Sequence, residues 1–469
     1  MGAPVSEPRP TLSVIVLAYN GEAFLDACLS SVLAQSGATT EIVVVDNAST
    51  DQSVAVVQRC CPAARLIRSA TNLGFSGGCN LGLRAAAGDC LVLLNQDTRL
   101  GSGCLEALLA GFHAHPEAGI LGCKILYPET HTLQHAGGWV DWPLGYAHHF
   151  GYQETDQGQW EQARPVEFVT GAALAARRTV LEQIGYLDEQ FWPGYFEDID
   201  YCRRAAAAGW AIWYWPAAVV WHHESPSTNP AGRARYYQRG RLRFVLKHLP
   251  PARFLSEFVA AEQAAQPAAI AGDESLALRL AYLDMIADLP RVWRPAWQAD
   301  AATIKAGLAG LLQLRARAWQ LDWQRLSELE AGSVPPEPWA ADQRGQNQNA
   351  LLLSGPPDLL PDYVALVGAR RSGGRPGPSP WLDFKEYEFH SAIPGLGKWI
   401  AALRRWWYGL LTRWVLLYVM QQQEAVNRRQ ESYRRAMGQR LLQLAEENAL
   451  LAARLAELRP EAGEDDKPR

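Results

Sequence analysis

Over the first quarter of the chain, short apolar runs rich in β-branched residues alternate with longer stretches of helical periodicity. "SVIVLAY" (13–19), "EIVVVD" (41–46) and "DCLVLLNQD" (89–97) have the unbroken apolar character of strands buried on both faces. Between them, "GEAFLDACLSSVLAQ" and "DQSVAVVQRCC" carry apolar residues at helical spacing. Strand–helix–strand repetition of this kind predicts an α/β protein with a parallel, doubly wound sheet. Each run ends in a polar cluster: Tyr19-Asn20, Asp46-Asn47, and Asn95-Gln96-Asp97. Ligands of open α/β sheets bind outside the carboxyl ends of the strands, so the three clusters are expected at one cleft.

The pattern then changes. Residues 126–170, rich in Gly, His, Trp and Tyr, follow no clear period, and 171–225 return to helix and short strand. From "ARYYQRGRLRFVLKHLP" a helical region runs to about residue 330. "SVPPEPW", "SGPPDLLP" and "SGGRPGPSP" mark a Pro/Gly-rich linker. The expected organisation is a nucleotide-binding-type domain at 11–250, a helical extension at 251–330, a linker at 331–390, an amphipathic helix at 391–420 and a short coiled coil at 421–459.

The last two segments suggest partners. Trp399, Leu403, Trp406, Trp407, Leu410, Trp414 and Leu417 share one helical arc, with Lys398, Arg404, Arg405 and Arg413 outside it. A tryptophan-rich face bordered by cations suits a helix lying in a membrane interface, and packing onto the rest of the chain is the alternative. Met437, Leu441, Leu444, Asn448, Leu451, Leu455 and Leu458 alternate steps of four and three, a heptad seam with one polar a position. That seam predicts a parallel homodimer, with intramolecular packing as the other reading.

Composition narrows the class. A chain of 469 residues accommodates two or three domains, and a net charge of −5 gives no support for nucleic-acid binding. The eight cysteines form no CxxC pair and sit largely in apolar runs, which reads as buried thiols in a reducing compartment. "LSVIVLA" is too short for a secretory signal and lacks a basic flank.

Four stretches carry candidate chemistry. In "VVVDNASTD", Asp46 at a strand end suits a base- or ribose-binding loop, or an Asx-type turn. "TNLGFSGGCNLGL" has four glycines that permit close backbone approach to a phosphate or sugar. "LVLLNQDTRL" delivers Asp97 to the cleft rim, where a hard divalent cation needs oxygen ligands. "GYFEDIDYC" puts Glu197, Asp198 and Asp200 into four positions, which fits either a helix first turn or a catalytic carboxylate.

In their order, "VIVLAYN", "VDNASTD", "NLGFSGGCN", "LNQDT", "GYFEDIDYC" and "VVWHHESPS" resemble the inverting glycosyltransferases of family 2, over about residues 11–250. The similarity is greatest to the bacterial rhamnosyl- and galactofuranosyltransferase subgroup. It implies a GT-A nucleotide-diphospho-sugar transferase fold with a mixed sheet. It also implies Asp198 as general base, Asp46 as nucleotide-base contact, and Asp97 with His222 as ligands of Mg²⁺ or Mn²⁺. Asn95 stands where the family's metal motif has its first acid. Tyr19, Asn20, Asn72, Gly74, Asn80, Asn95 and Arg239 are the further expected nucleotide-sugar contacts. Any of Arg239, Arg241 and Arg243 is a candidate for the diphosphate. His135 is a candidate for a donor- or acceptor-side loop or a structural turn, and His148 and His149 are expected to be plain surface or core residues.

The expectation is therefore an inverting glycosyltransferase, peripheral at the cytoplasmic face of the inner membrane. Its donor would be dTDP-rhamnose or a UDP-sugar, and its acceptor a lipid-linked glycan in surface polysaccharide synthesis. The alternative is a non-catalytic, glycosyltransferase-like scaffold or sugar-binding protein recruited through the carboxyl-terminal helices.

Overall fold

A computed structural model describes residues 11–330, except 37–38, 131, 225–229 and 270–273, together with residues 443–451. Residues 1–322 form one compact unit and residues 323–469 a second. In the second, residues 443–451 are helical. That short helix contains Leu444, Asn448 and Leu451 of the heptad seam. The rest of the seam and the whole tryptophan-rich stretch lie outside the described residues.

The elements of the first unit begin with β1 (Leu12–Ala18), α1 (Leu25–Leu33), β2 (Thr40–Asp46), α2 (Ser53–Cys60) and β3 (Arg65–Arg68). α3 (Gly74–Ala85), β4 (Cys90–Asn95), β5 (Thr98–Leu100), α4 (Cys104–Ala114) and β6 (Ala118–Leu126) follow. Next come β7 (Leu133–His135), β8 (Gly138–Asp141), β9 (Tyr146–His149), β10 (Arg164–Pro165), β11 (Ala173–Arg177) and α5 (Arg178–Ile184). α6 (Glu197–Ala207) and β12 (Ala211–His222) lead into α7 (Pro230–His248). α8 (Pro251–Arg253) passes through a π-turn at Phe254–Phe258 into α9 (Val259–Ala269), and α10 (Glu274–Trp297) and α11 (Ala301–Glu330) complete the order.

The main sheet runs β10-β12-β6-β11-β4-β1-β2-β3, with β5 added to β12 and β7 to β6. Its first half is parallel: β1 lies between β2 and β4, and β2 pairs with β3. β11 then enters antiparallel between β4 and β6, which makes the sheet mixed. The unbroken apolar runs have a direct cause. Leu12, Val14 and Val16 of β1 face one apolar layer, while Ile15 faces the other. In β4, Val92 and Leu94 face the first layer and Leu91 and Leu93 the second. A strand covered on both sides has no position for a polar residue until it leaves the sheet. The three polar clusters follow from that rule.

The glycines of "TNLGFSGGCNLGL" have close packing neighbours. A Cβ on Gly82 would stand 2.2 Å from Ile15 Cγ2, and one on Gly78 would stand 2.3 Å from Leu17 Cδ1. Both let α3 lie directly on β1. Gly74 has φ +71, and its missing Cβ would meet Trp192 and the Pro193 carbonyl. All eight cysteines are free thiols, as expected. Among the described residues no helix is long and apolar enough to cross a membrane.

Candidate active site

The loops after β1, β2 and β4 are stitched to one another at one end of the sheet. Gln96 accepts from the Tyr19 backbone N–H at 2.8 Å and donates back to the Tyr19 carbonyl at 3.0 Å. Asn20, with φ 48, accepts from the Thr50 backbone N–H at 2.8 Å. Asp46 is buried and closes an Asx-type turn by accepting from the Ser49 N–H at 3.1 Å, while Arg68 stands 3.6 Å from its other oxygen. Asn47 donates to Asn72 Oδ1 at 3.0 Å, and that oxygen also accepts from the Gly74 N–H. The rim of the cleft is thus a set of cross-linked turns rather than independent loops.

Asp97 and His222, 125 positions apart in sequence, meet there: Oδ1 lies 3.2 Å from Nε2. The pairing of β5 with the end of β12 sets His222 opposite Thr98, and the His223 N–H donates to the Asp97 carbonyl at 3.1 Å. Alternation along β12 buries every second residue through His222. The ring is oriented by Gln134, whose Oε1 is 2.6 Å from Nδ1, and Asn95 Nδ2 lies 3.4 Å from Nε2. A proton on Nδ1 satisfies both neighbours and turns the Nε2 lone pair toward Asp97. A carboxylate oxygen and an imidazole lone pair, both largely buried, then face one another. That arrangement is repulsive unless a proton or cation lies between. Among the described residues no group of three or more His, Cys, Asp or Glu gathers as a metal cage. The donor set therefore fits a cation that takes its remaining oxygens from a ligand.

Asp198 occupies the first turn of α6, directly after Tyr195 (φ 77) and Phe196 (φ 73), two consecutive non-glycine residues in the left-handed region. Such conformations cost free energy and collect where a site requires them. The Asp198 carboxylate accepts from the Gly171 N–H and the Ile199 N–H, both at 2.8 Å. The next carbonyl, that of Ala172, accepts from the Asn95 N–H at 3.0 Å. Hence Asp198 sits one strand over from Asn95 and Asp97. Burial raises its pKa above the ordinary carboxylate range, although the two N–H bonds pull it back. Phe75 packs beside it, meeting the same space over Gly171 as the Asp198 Cβ.

The other two acids of "FEDID" lie in different surroundings. Asp200 is fully buried and is held by Arg204, Lys247 and His248, each at 2.8 Å. These partners outweigh burial and hold its carboxyl below the usual range. Arg204 is the partner, while Arg203 stacks over Trp142. Glu197 is buried, and its Oε2 has no hydrogen-bond partner among the described residues. Burial, with Asp198 beside it, raises its pKa well above the carboxylate range. The folded state therefore holds a proton that the unfolded chain releases. Its contribution to stability is complete below the unfolded carboxylate pKa and is lost as pH rises through the folded one. Glu197→Gln should melt higher than the parent by a margin that grows from pH 5 to pH 8 in calorimetry. A margin that does not change with pH would show that Glu197 is ionised in the fold.

Other expected contacts are committed elsewhere. Asn80 is buried, with its amide donating to the Leu187 carbonyl and Glu189 and its oxygen accepting from the Leu187 N–H; it braces residues 187–189 rather than a sugar. Arg241 is buried in a bidentate pair with Glu262 and stacks on Tyr146, and Arg243 pairs with Asp288 at 3.0 Å. Those two arginines tie α7 to the helices after it and are not available to a diphosphate. Arg239 donates to the Trp192 carbonyl and lies 3.9 Å from Asp284. His135 and His149 face each other, Nδ1 to Nδ1, at 2.8 Å. Burial keeps His135 well below the usual imidazole range and His149 at about 4, as suits neutral core residues. Gln134 and Gly171 were missed by sequence reasoning. Only the neighbouring His135 drew attention to "LQHAGG", because an uncharged amide carries no mark of its role.

Comparison with known proteins bears on the family of the chain. The family model described as "Glycosyltransferase like family 2" matches residues 8–241. The N-acetylglucosaminyl-diphospho-decaprenol L-rhamnosyltransferase of Mycobacterium tuberculosis is 29% identical over 258 residues, 50% of this chain and 83% of that protein. A low-salt glycan biosynthesis hexosyltransferase of Haloferax volcanii is 28% identical over 201 residues, 41% of this chain and 61% of that protein. A solved mannosyltransferase of Pyrobaculum calidifontis, in complex with GDP-Man and Mn²⁺, overlaps at 19% identity and a TM-score of 0.39. That overlap covers 69% of this chain and 89% of the other, too loosely to bear on individual residues. Through residues 8–241 the chain belongs to glycosyltransferase family 2, and it is a glycosyltransferase of GT-A fold.

Proposed function

We propose that the protein transfers rhamnose, with inversion, from a nucleoside-diphosphate donor such as dTDP-rhamnose to a lipid-linked glycan. The observation that carries this reading is the placement of Asp198 on Gly171, one residue from the strand contact that holds Asn95. A proton acceptor and the Asp97–His222 pair are thereby at the same end of the sheet. Asp198 takes the proton of the acceptor hydroxyl as its oxygen forms a bond to the anomeric carbon. The bond from that carbon to the diphosphate breaks on the opposite face, and the nucleoside diphosphate leaves. A bound Mn²⁺ or Mg²⁺ would supply charge neutralisation for the diphosphate, and the imidazole ligand favours Mn²⁺. Asp97 and His222 would hold it. Rhamnose and the lipid-linked acceptor rest on the Mycobacterium tuberculosis relative, whose printed name specifies both.

Access to a lipid-linked acceptor fits peripheral attachment at the cytoplasmic face, through the helix expected at 391–420 and a dimer through 421–459. A panel of dTDP- and UDP-sugars offered with polyprenyl-diphosphate acceptors tests the reaction. Transfer is expected from dTDP-rhamnose, and no turnover of any donor would favour the scaffold reading. Charge reversal at Arg404, Arg405 and Arg413 should weaken binding to anionic vesicles in a salt-dependent way. Sedimentation unchanged by these substitutions and by salt would count against the electrostatic part.

A further inference from the structure

Gln134 lies in β7, outside the motifs that define the site, yet its side chain is buried against the centre of the donor set. Its oxygen meets His222 Nδ1 at 2.6 Å, and its amide nitrogen donates to Glu224 Oε2 at 3.3 Å. Tyr127 donates to the same carboxylate oxygen at 2.5 Å. Glu224 reaches this position through a left-handed backbone, φ 52, directly after His223 is fastened to the Asp97 carbonyl. A non-glycine residue adopts that conformation only when its surroundings demand it. The result is a directed chain: Tyr127 and Glu224 fix the amide of Gln134, and the amide fixes the ring of His222. Reversing the amide would point its NH₂ at the His222 N–H and its oxygen at a carboxylate. Each neighbour therefore enforces the orientation seen.

We infer that Gln134, locked by Glu224 and Tyr127, is a positioning residue that holds His222 with its Nε2 lone pair presented beside Asp97, and so sets the affinity for a divalent cation. This rests on the reading of Asp97 and His222 as cation ligands. Outer partners of a ligating imidazole fix its tautomer and orientation, and their loss typically costs about 10- to 100-fold in metal affinity.

Titration with Mn²⁺ alone, read by loss of the free-ion electron paramagnetic resonance signal, tests the inference without reference to activity. Gln134→Leu should weaken Mn²⁺ binding at least about tenfold with an unchanged circular dichroism spectrum. The paired exchange of Gln134→Glu with Glu224→Gln keeps an acceptor on the His222 N–H and a donor between the two positions. It should return affinity to within about threefold of the parent, which a merely structural role for Gln134 would not produce. Should Gln134→Leu fail to fold, Glu224→Ala at the exposed end of the chain takes its place, with an expected loss of about three- to tenfold. Unchanged affinity in the folded variant, or no recovery in the exchange, would overturn the inference. Asp97→Ala and His222→Ala separate the two levels. If both still bind Mn²⁺ as the parent does, the cation site itself is wrong; if both lose it while Gln134→Leu does not, only the role of Gln134 falls.

Discussion

Asp198→Asn should lower sugar transfer by at least about 10²-fold while leaving donor affinity nearly unchanged. The substitution preserves the shape of the carboxylate and one of its two N–H contacts, because Gly171 and Ile199 donate to different oxygens and the amide keeps a single acceptor. What it removes is the ability to take a proton. Asp200→Asn gives a different result. Asp200 anchors Arg204, Lys247 and His248, and removing its charge leaves three cationic or polar partners around a neutral amide. That variant should lose thermal stability before it loses turnover per folded molecule. In the parent, the acid limb of the pH–rate profile should lie above the ordinary carboxylate range, because burial raises the Asp198 pKa. Transfer then falls as pH drops through that raised value, since the base must be ionised. Equal losses in transfer from both variants, with both folded, would place the base elsewhere on α6.

The second large effect concerns the cation. Calorimetric titration with the donor's nucleoside diphosphate should show affinity enhanced by Mn²⁺ and reduced by a chelator. Asp97→Ala should abolish that enhancement, a loss of at least about tenfold. The same variant should bind nucleotide in the presence of chelator as the parent does, because Asp46 and the loops around it are held by their own hydrogen bonds. His222→Ala should act in the same direction, as its Nε2 lies 3.2 Å from Asp97. A nucleotide affinity indifferent to Mn²⁺ in the parent would remove the cation from the account.

The sheet was legible in the sequence because burial on both faces leaves a plain signature, as in "VIVLA" and "LVLL". The ends of those runs marked the cleft, since polar residues are admitted only where the strand leaves its cover. The mixed character of the sheet came from the family resemblance. The strand that produces it, Ala173–Arg177, is short and alanine-rich, with little β-branched content to announce it. Glycine spacing signalled close approach without naming the neighbour. Gly78 and Gly82 admit Leu17 and Ile15, and sequence says nothing of which atom fills the space a Cβ would occupy. The commitment of Arg241 and Arg243 to ion pairs was hidden for a related reason. Arg241 owes its burial to Glu262, one acid in an alanine-rich helix 21 positions away, and a long-range partner leaves no local pattern. Glu197 and Asp200 share one helix turn, yet Arg204, Lys247 and His248 reach only the second, the last two from α7.

The anomeric configuration of the transferred sugar tests the central claim most directly. A single carboxylate base at Asp198, with no second nucleophile assigned to the site, requires one displacement at the anomeric carbon. Proton and carbon NMR of the product formed from a donor of known configuration should therefore show the opposite anomer, with no mixture at early times. A product that retains the donor's configuration would require a two-step displacement and would contradict the assignment of Asp198 as the base of a direct transfer.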